Sequence, residues 1–347
     1  MTRDNRKIRA YLYPVTSRLT TGVYNPYLDH FMDSTGYFIN YLNRQQPSKS
    51  GILNIFRFLY RIDILFLNWA ENIPDKKGGL IQSIFLLMLL RLKSVFGIKI
   101  IWTLHNKISH SPEKLFLKRK LFTALLKKSD FIITHSKEGI LFAESLLPDS
   151  GRKIFCFPHP VVPKKNYNQK VKNYDILIWG TIAPYKGIDS FLAFLKKNDL
   201  LERYRILISG KILSPEFHEV IKKYERSNIT IENRFISDKE LGEFIGASRA
   251  VLFTYSRNSV LSSGALTDSL SYGASVIGPN IGAFSDMREL GIIQTYDDFD
   301  QLPDIMQNIG LSYNKNEDEK LQEFIRSHTW DRFSKALCNK MKQNNLC

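Results

Sequence analysis

The sequence predicts an α/β fold with two Rossmann-like domains, and three observations support this prediction. The chain has 347 residues, which is too long for one small hydrophobic core and suits two domains of ordinary size. Apolar runs of strand length alternate with helical segments, as in the βαβ units of a parallel sheet. This alternation stops at one polar stretch and then restarts, which indicates a domain boundary there.

The first domain is predicted over residues 1–160. Segments 80–95 and 114–127 carry apolar residues at helical spacing and are expected to be crossover helices over the sheet. The predicted strands are residues 8–13, 62–68, 98–104, 131–134 and 154–157.

The predicted linker begins at Pro158-His159-Pro160 and continues through the polar stretch 163–173, and His159 is expected to be a turn residue there. The second domain is predicted over residues 174–325, and residues 326–347 form a helical tail. The predicted strands of the second domain are residues 174–179, 204–209, 229–231, 250–254 and 274–277. The predicted helices of this domain are residues 188–197, 215–226, 238–248 and 264–271.

Composition excludes several classes of protein. With 44% hydrophobic and 24% charged residues the chain is globular, and its three cysteines show neither paired nor metal-type spacing. The apolar segment 81–90 is much shorter than the ~20 residues that span a bilayer, and the N-terminus is polar rather than signal-like. We therefore expect a cytoplasmic protein, either soluble or peripheral on the inner face of the cell membrane.

The formal net charge of +15 predicts an anionic partner. Basic residues are dense between residues 91 and 128, which fits either a solvated helix face or, together with segment 81–90, a surface that docks on an anionic membrane. Nucleic acid is not the expected partner, because these residues are not interleaved with a nucleic-acid-binding motif.

The strongest motif follows the first strand of the second domain, where Gly180 and Thr181 precede Lys186. Ligands of open parallel sheets bind at the carboxyl ends of the strands. A glycine there admits backbone N–H groups to a phosphate, a helix N-terminus adds partial positive charge, and a lysine adds a full charge. Lys186 is expected at the start of the following helix. A short glycine turn that merely ends a strand is the structural alternative.

Four segments in order, residues 180–187, 234–241, 250–255 and 263–273, resemble the nucleotide-binding domain of the GT-B glycosyltransferases. The resemblance is closest to family 4 and its capsule and exopolysaccharide relatives. It implies two Rossmann-like domains that face each other across a cleft and a C-terminal helix that crosses back to the first domain.

The resemblance also implies roles for individual residues of the second domain. It assigns the donor diphosphate and ribose to the glycine-lysine segment and the 263–273 signature, and the nucleobase to the segment that starts at residue 234. The implied donor-binding residues are Gly180, Thr181, Lys186, Lys211, Arg234, Phe235, Ser263, Gly264 and Asp268. Thr181 replaces the family's arginine, and Val260 and Asp268 stand where the family has two glutamates. Asp268 would hold the ribose, or it could be a charge at a helix N-terminus.

In the first domain the segment 102–110 resembles the strand and loop in which a histidine faces the donor. His105 and His110 are the candidate catalytic residues, because an imidazole can bind donor hydroxyls or move a proton near neutral pH. A structural histidine is the alternative. Glu71 follows the second strand, where an acceptor would enter, and could be a base or a helix N-terminal charge.

The resemblance implies a glycosyltransferase that moves a sugar from a UDP- or GDP-type nucleotide sugar to a glycan acceptor. It further implies a lipid-linked acceptor, surface polysaccharide biosynthesis, and no metal or cofactor besides the donor substrate. Two alternatives stay open: a non-catalytic GT-B relative that binds a nucleotide sugar or glycan, and an epimerase or phosphorylase on the same fold.

Overall fold

The computed structural model describes residues 6–15, 26–45, 50–107, 114–165, 171–256, 260–309 and 315–346. The chain divides into two compact units. Unit 1 comprises Met1–Pro158 and Trp330–Cys347, and unit 2 comprises His159–Thr329. In the described ranges no helix is long and apolar enough to cross a membrane.

Unit 1 contains a six-stranded parallel sheet with the order β2-β1-β3-β4-β5-β6. Every residue of β3 and β5 is buried, as expected for parallel strands with helices on both faces of the sheet. The strands are β1 Ile8–Tyr13, β2 Ile39–Tyr41, β3 Ile64–Asn68, β4 Lys99–Leu104, β5 Phe131–Thr134 and β6 Ile154–Cys156.

The helices of unit 1 lie between these strands. They are α1 Pro26–Thr35, α2 Gly79–Leu92, α3 Leu115–Lys128 and α4 Lys137–Leu146, with short 3₁₀ segments at Gly51–Arg57, Ala70–Asp75 and Ser150–Lys153. The hydroxyl of Ser136 caps α4 by accepting a hydrogen bond from the Gly139 backbone N–H.

Unit 2 contains a second six-stranded parallel sheet with the order β12-β11-β10-β7-β8-β9. Its strands are β7 Tyr174–Trp179, β8 Ile206–Ser209, β9 Ile229–Glu232, β10 Ser248–Leu252, β11 Val276–Pro279 and β12 Gln294–Tyr296. Its helices are α5 Ile188–Lys197, α6 Pro215–Lys222, α7 Asp238–Gly246, α8 Gly264–Ser271, α9 Gly282–Glu289, α10 Leu302–Asn308 and α11 Lys315–Ser327. A capping box between Ser237 and Glu240 fixes the start of α7.

The chain returns to unit 1 with α12, Trp330–Gln343. The Trp330 ring lies edge-on to Tyr27 at 5.2 Å, and the Phe333 ring lies 5.8 Å from that of Phe31 in α1. The tail predicted over residues 326–347 is divided between the two units. Residues 326–329 belong to unit 2, and the last helix begins at Trp330 in unit 1.

The two parallel sheets confirm the predicted α/β class. Two edge strands, β2 and β12, are absent from the prediction, because each has three residues that include polar ones and so forms no apolar run. The predicted helix 215–226 is too long, since α6 ends at Lys222.

Candidate functional site

The strand order of unit 2 reverses at β7, which has β8 on one side and β10 on the other. Ligands of open α/β sheets bind outside the carboxyl ends of the strands at such a switch point. The chain leaves β7 at Gly180 and β10 at Phe253, so the residues that follow these strands form the candidate donor site.

Lys186 is the central cation of this site, and its side chain is only 7% exposed. Its Nζ donates a hydrogen bond to the Trp179 carbonyl at 3.3 Å and lies 5.7 Å from the ring centre of Tyr255. No carboxylate among the described residues forms an ion pair with it, and burial alone lowers the pKa of Lys186 to about 8. A buried ammonium without a counter-anion is unfavourable, which favours an anionic ligand.

The position of Lys186 differs from the expectation. Lys186 ends the 3₁₀ segment Pro184–Lys186, and α5 begins only after Gly187. Gly187 has φ +69°, and a Cβ there would lie 2.4 Å from the Thr254 carbonyl oxygen. The Thr254 hydroxyl in turn donates to the Lys186 carbonyl at 2.6 Å. The loops after β7 and β10 are therefore in direct backbone contact, which fixes Lys186.

Tyr255 connects the N-terminus of α8 with this cation. Ser263 caps α8 by accepting a hydrogen bond from the Leu266 backbone N–H, and its hydroxyl lies 3.2 Å from that of Tyr255. Tyr255 thus links Lys186 to the start of α8. The first N–H groups of a helix have no partner inside the helix and carry partial positive charge, so they favour a phosphate.

His159 also belongs to this end of α8, although sequence reasoning treats it as a turn residue. Its Nδ1 lies 3.0 Å from the Pro160 carbonyl and 3.1 Å from the Thr267 hydroxyl. Its Nε2 lies 3.6 Å from the point where a Cβ of Gly264 would stand. The sequence signal was weak, because His159 is distant in sequence from α8.

Asp268 lies in the second turn of α8, whose first turn contains no acidic residue, so it is not a helix N-terminal charge. Its side chain is exposed to solvent. Partial desolvation raises the pKa of Asp268 above its usual value, Lys164 opposes the rise, and Asp238 adds to it. The carboxylate is accessible to a ligand hydroxyl.

The remaining predicted donor-binding residues lie on the surface of unit 2. The Arg234 guanidinium bonds to Glu232 at 3.0 Å and to Glu240 at 2.7 Å, so its charge is already compensated. The neighbouring Phe235 ring is 82% exposed and offers a flat apolar surface. Lys211 and Thr181 are both exposed.

Gly210, which follows β8, brings a third loop to the candidate donor site. A Cβ at Gly210 would lie 1.8 Å from the Gly180 carbonyl oxygen, so any side chain there would displace the loop after β7. Gly180 itself has φ +96°. Backbone packing around Gly180 and Gly210 therefore sets the shape of the site.

In unit 1 the strand order reverses between β1 and β3, and polar and aromatic side chains lie where these strands and β4 end. The buried His105 ring, which follows β4, stacks on Trp69 at 4.2 Å, and Tyr27 lies edge-on to it at 4.9 Å. His105 Nε2 lies 3.0 Å from Asn68 Oδ1, and because an amide oxygen only accepts, we assign the proton to Nε2.

His135, which follows β5, lies in the same cluster. Its Nδ1–H donates to the Phe157 carbonyl at 2.8 Å, and its Nε2 lies 2.9 Å from the Tyr27 hydroxyl. Burial raises the pKa of Tyr27, so this hydroxyl keeps its proton and donates to Nε2. His135 thus orients Tyr27 against His105.

Glu71 is the second residue of the segment Ala70–Asp75 and is only 4% exposed. One oxygen accepts a hydrogen bond from the Trp102 indole at 3.3 Å, and the other has no partner. Burial raises the pKa of Glu71 to about 7, a value suited to proton transfer at neutral pH. Its role as a base stays a prediction. His110 lies outside the described residues.

A metal-binding group of three or more His, Cys, Asp or Glu side chains is not found within the described ranges.

No protein-family model and no curated protein matches the sequence. Many solved structures are similar to this chain. AviGT4, a glycosyltransferase involved in avilamycin A biosynthesis, is 15% identical, with a TM-score of 0.62 and 97% of each chain covered. HepE from Anabaena in complex with UDP and glucose is 10% identical, with a TM-score of 0.66, covering 97% of this chain and 100% of HepE. A glycosyltransferase from Rickettsia africae is 13% identical, with a TM-score of 0.60 and coverage of 98% and 99%.

The chain has the GT-B fold. This confirms the fold that the sequence resemblance implies, with one Rossmann-like sheet in each unit. At 10–15% identity the similarity establishes the fold alone.

Proposed function

We propose that this GT-B protein is a glycosyltransferase that uses a nucleotide-diphosphate sugar as its donor. The observation that carries the proposal is the buried Lys186 ammonium, which has no acidic partner in the described part of the chain and is connected to the N-terminus of α8 through Tyr255. The similar HepE structures contain UDP with glucose or UDP-glucose, which supports a donor of this class.

The proposed reaction breaks the bond between the sugar carbon and the diphosphate oxygen, and an acceptor oxygen takes the sugar while losing its proton. The departing diphosphate gains negative charge. Lys186 Nζ and the N–H groups at the start of α8 would stabilise that charge, as preorganised cations and dipoles do in other transfer reactions. Because these groups supply the positive charge, the proposal requires no metal ion.

The other predicted residues have subsidiary roles in this proposal. Asp268 would accept hydrogen bonds from ribose hydroxyls, and the exposed Phe235 ring would lie against a UDP- or GDP-type base. Lys211 and Thr181 would contact the diphosphate only from the rim, since both are exposed. In unit 1, His105 would bind donor hydroxyls.

We further propose that the acceptor is a lipid-linked glycan of surface polysaccharide biosynthesis. The end of the unit 1 sheet presents the half-buried Trp69 ring, which packs on His105 and Tyr27, and a flat ring beside polar groups suits carbohydrate binding. Glu71 is the proposed base, because burial raises its pKa to about 7, close to neutral pH.

A panel of nucleotide sugars tests the donor class. We expect one UDP- or GDP-sugar to raise the melting temperature, since a ligand at 100 times its dissociation constant adds about 2.7 kcal/mol to apparent stability. Inorganic phosphate and AMP serve as controls. Absence of stabilisation by any nucleotide diphosphate would contradict the proposal.

A non-catalytic GT-B relative is the second candidate function, and one observation favours it. Val260, which stands at the position of the family's first glutamate, is buried and apolar and cannot hydrogen-bond a sugar through its side chain. The two candidates differ in turnover. We expect slow release of free sugar from the stabilising donor without acceptor, whereas tight donor binding with neither hydrolysis nor transfer would identify a binding protein.

The affinity for UDP is expected to depend on pH through Lys186. The pKa of Lys186 is lowered to about 8 in the free protein, and a bound diphosphate would raise it. Below pH 8 the lysine is already protonated and affinity stays constant. Above pH 8 binding requires proton uptake, so UDP should bind about tenfold more weakly at pH 9 than at pH 7. Calorimetric titration checks this.

The neighbouring Tyr255 does not interfere in that range, because burial raises its pKa further above its usual value. The variant Lys186→Met should bind UDP weakly at every pH, with no change between pH 7 and 9. An unchanged dissociation constant in the wild type over this range would refute the role of Lys186.

A further inference from the structure

Helix α2 of unit 1 is apolar on both sides, yet one side is open to solvent. Its exposed residues Leu80, Ile84 and Met88 follow a spacing of four and lie along one face of the helix. We call the exposed side chains of this helix the apolar face. They are Leu80, Ile81, Ile84, Met88 and Leu92. A helix that is hydrophobic all round is normally buried, so this face indicates a binding surface.

The two uncharged polar residues of the helix point the other way. Gln82 is buried, accepting a hydrogen bond from the Ile52 backbone and donating to the Lys77 carbonyl. Ser83 is also buried and donates to the Gly79 carbonyl at 2.6 Å. Apart from Arg91 in its last turn, α2 therefore reverses the usual arrangement of a surface helix, in which polar residues lie outside.

An aromatic side chain extends the surface. The exposed Phe56 ring lies 4.5 Å from that of Phe85, a half-buried residue of α2. Phe116, in the adjacent helix α3, is exposed as well. The apolar face is thus wider than one row of side chains.

Exposed basic residues lie on α2 and on the segments next to it. Exposed lysines and arginines precede α2, end it, and continue on the neighbouring segments: Arg57, Arg61, Lys76, Lys77, Arg91, Arg119 and Lys120. In residues 50–107, all of which are described, each of the three carboxylates is either paired with a cation or buried. Asp63 pairs with Arg9, Asp75 pairs with Lys118, and Glu71 is buried. The exposed surface of α2 and of its neighbouring segments therefore combines apolar side chains with positive charge.

We propose that the apolar face docks on an anionic lipid bilayer. A 14-residue helix is about 21 Å long, which is too short to cross a hydrocarbon core of about 30 Å. It can instead lie in the interface with its apolar side chains among the lipids and the basic residues at the anionic headgroups. This would bring unit 1 to the surface where a lipid-linked acceptor is presented.

A second copy of the chain fits this surface less well. A two-fold symmetric dimer places the same patch on both partners, so the surrounding lysines and arginines would face each other. An anionic membrane complements that charge. The inference concerns only unit 1 and does not depend on nucleotide binding.

Vesicle sedimentation at low salt tests the proposal with the full chain. The probes are vesicles of phosphatidylcholine alone and of equal parts phosphatidylglycerol and phosphatidylcholine. We expect sedimentation with the anionic vesicles, little with the neutral ones, and a decline with added salt. The double variant Ile84→Glu/Met88→Glu should lower the partition coefficient by at least about tenfold, because it places two charges among the lipids.

A matched control is Val220→Glu in unit 2, where the valine is 42% exposed, comparable with 49% for Ile84 and 52% for Met88. It should sediment like the wild type. Failure of the wild type to bind anionic vesicles, equal binding to neutral vesicles, or equal binding by the double variant would overturn the proposal. A wild-type dimer that becomes monomeric in the double variant would instead assign the face to a second copy. Stabilisation by nucleotide sugars, measured without vesicles, tests the donor site separately.

Discussion

Replacing Lys186 by methionine is expected to weaken UDP binding by at least about 100-fold, because a buried cation that contacts a phosphate contributes several kcal/mol. The same change should make the unliganded protein more stable. Lys186 is buried without an acidic partner in the described residues, and its lowered pKa corresponds to roughly 3 kcal/mol of unfavourable desolvation. Methionine has a similar length and no charge to desolvate.

The opposite signs of these two effects distinguish a ligand-binding lysine from a structural one. UDP affinity is measured by calorimetry and the melting temperature by the fluorescence of the unliganded protein. Lys196→Met, at an exposed position near the end of α5, is the control and should change neither quantity appreciably. If Lys186→Met lowers the melting temperature and binds UDP as tightly as the wild type, the ammonium is not the diphosphate cation.

The fold could be predicted largely from the sequence, because fully buried parallel strands produce uninterrupted apolar runs. Such runs predict β1, β5 and β7 with their observed bounds. Strand β12 has the polar residues Gln294 and Thr295 and does not produce this signal, so it was missed. Strand β10 begins at Ser248 rather than at residue 250, because backbone pairing with β7 extends it beyond the apolar run.

The position of the candidate site could be predicted from the sequence, but the burial and the partners of its side chains could not. Glycines and a lysine after β7 identify a phosphate-binding loop, since their chemistry can be read without coordinates. The burial of Lys186 and Glu71 depends on which loops pack over them, and that is a tertiary property. The pairing of Arg234 with two carboxylates has the same origin. His159 could not be assigned to the site from the sequence, because only the fold brings it to α8.

Gly187→Ala is expected to destabilise unit 2 by about 3 kcal/mol or more, which lowers the melting temperature of a domain of this size by roughly 6–12 °C. Two effects combine. Gly187 has φ +69°, a conformation that costs an L-residue about 1–2 kcal/mol, and its new Cβ would lie 2.4 Å from the Thr254 carbonyl oxygen. The contacted oxygen belongs to the backbone and cannot rotate away as a side chain could. The loops after β7 and β10 must therefore separate.

Gly78→Ala isolates the first effect. Gly78 has φ +65° and, like Gly187, precedes a helix, but a Cβ there has nothing within 4 Å. Gly78→Ala should therefore lower the free energy of unfolding only by the conformational cost, about 1–2 kcal/mol. Thermal unfolding followed by intrinsic fluorescence gives the comparison, and UDP titration of Gly187→Ala adds a functional readout, because separating the loops would displace Lys186 from α8. Equal melting temperatures for the two variants would mean that the contact between these loops does not hold the site together.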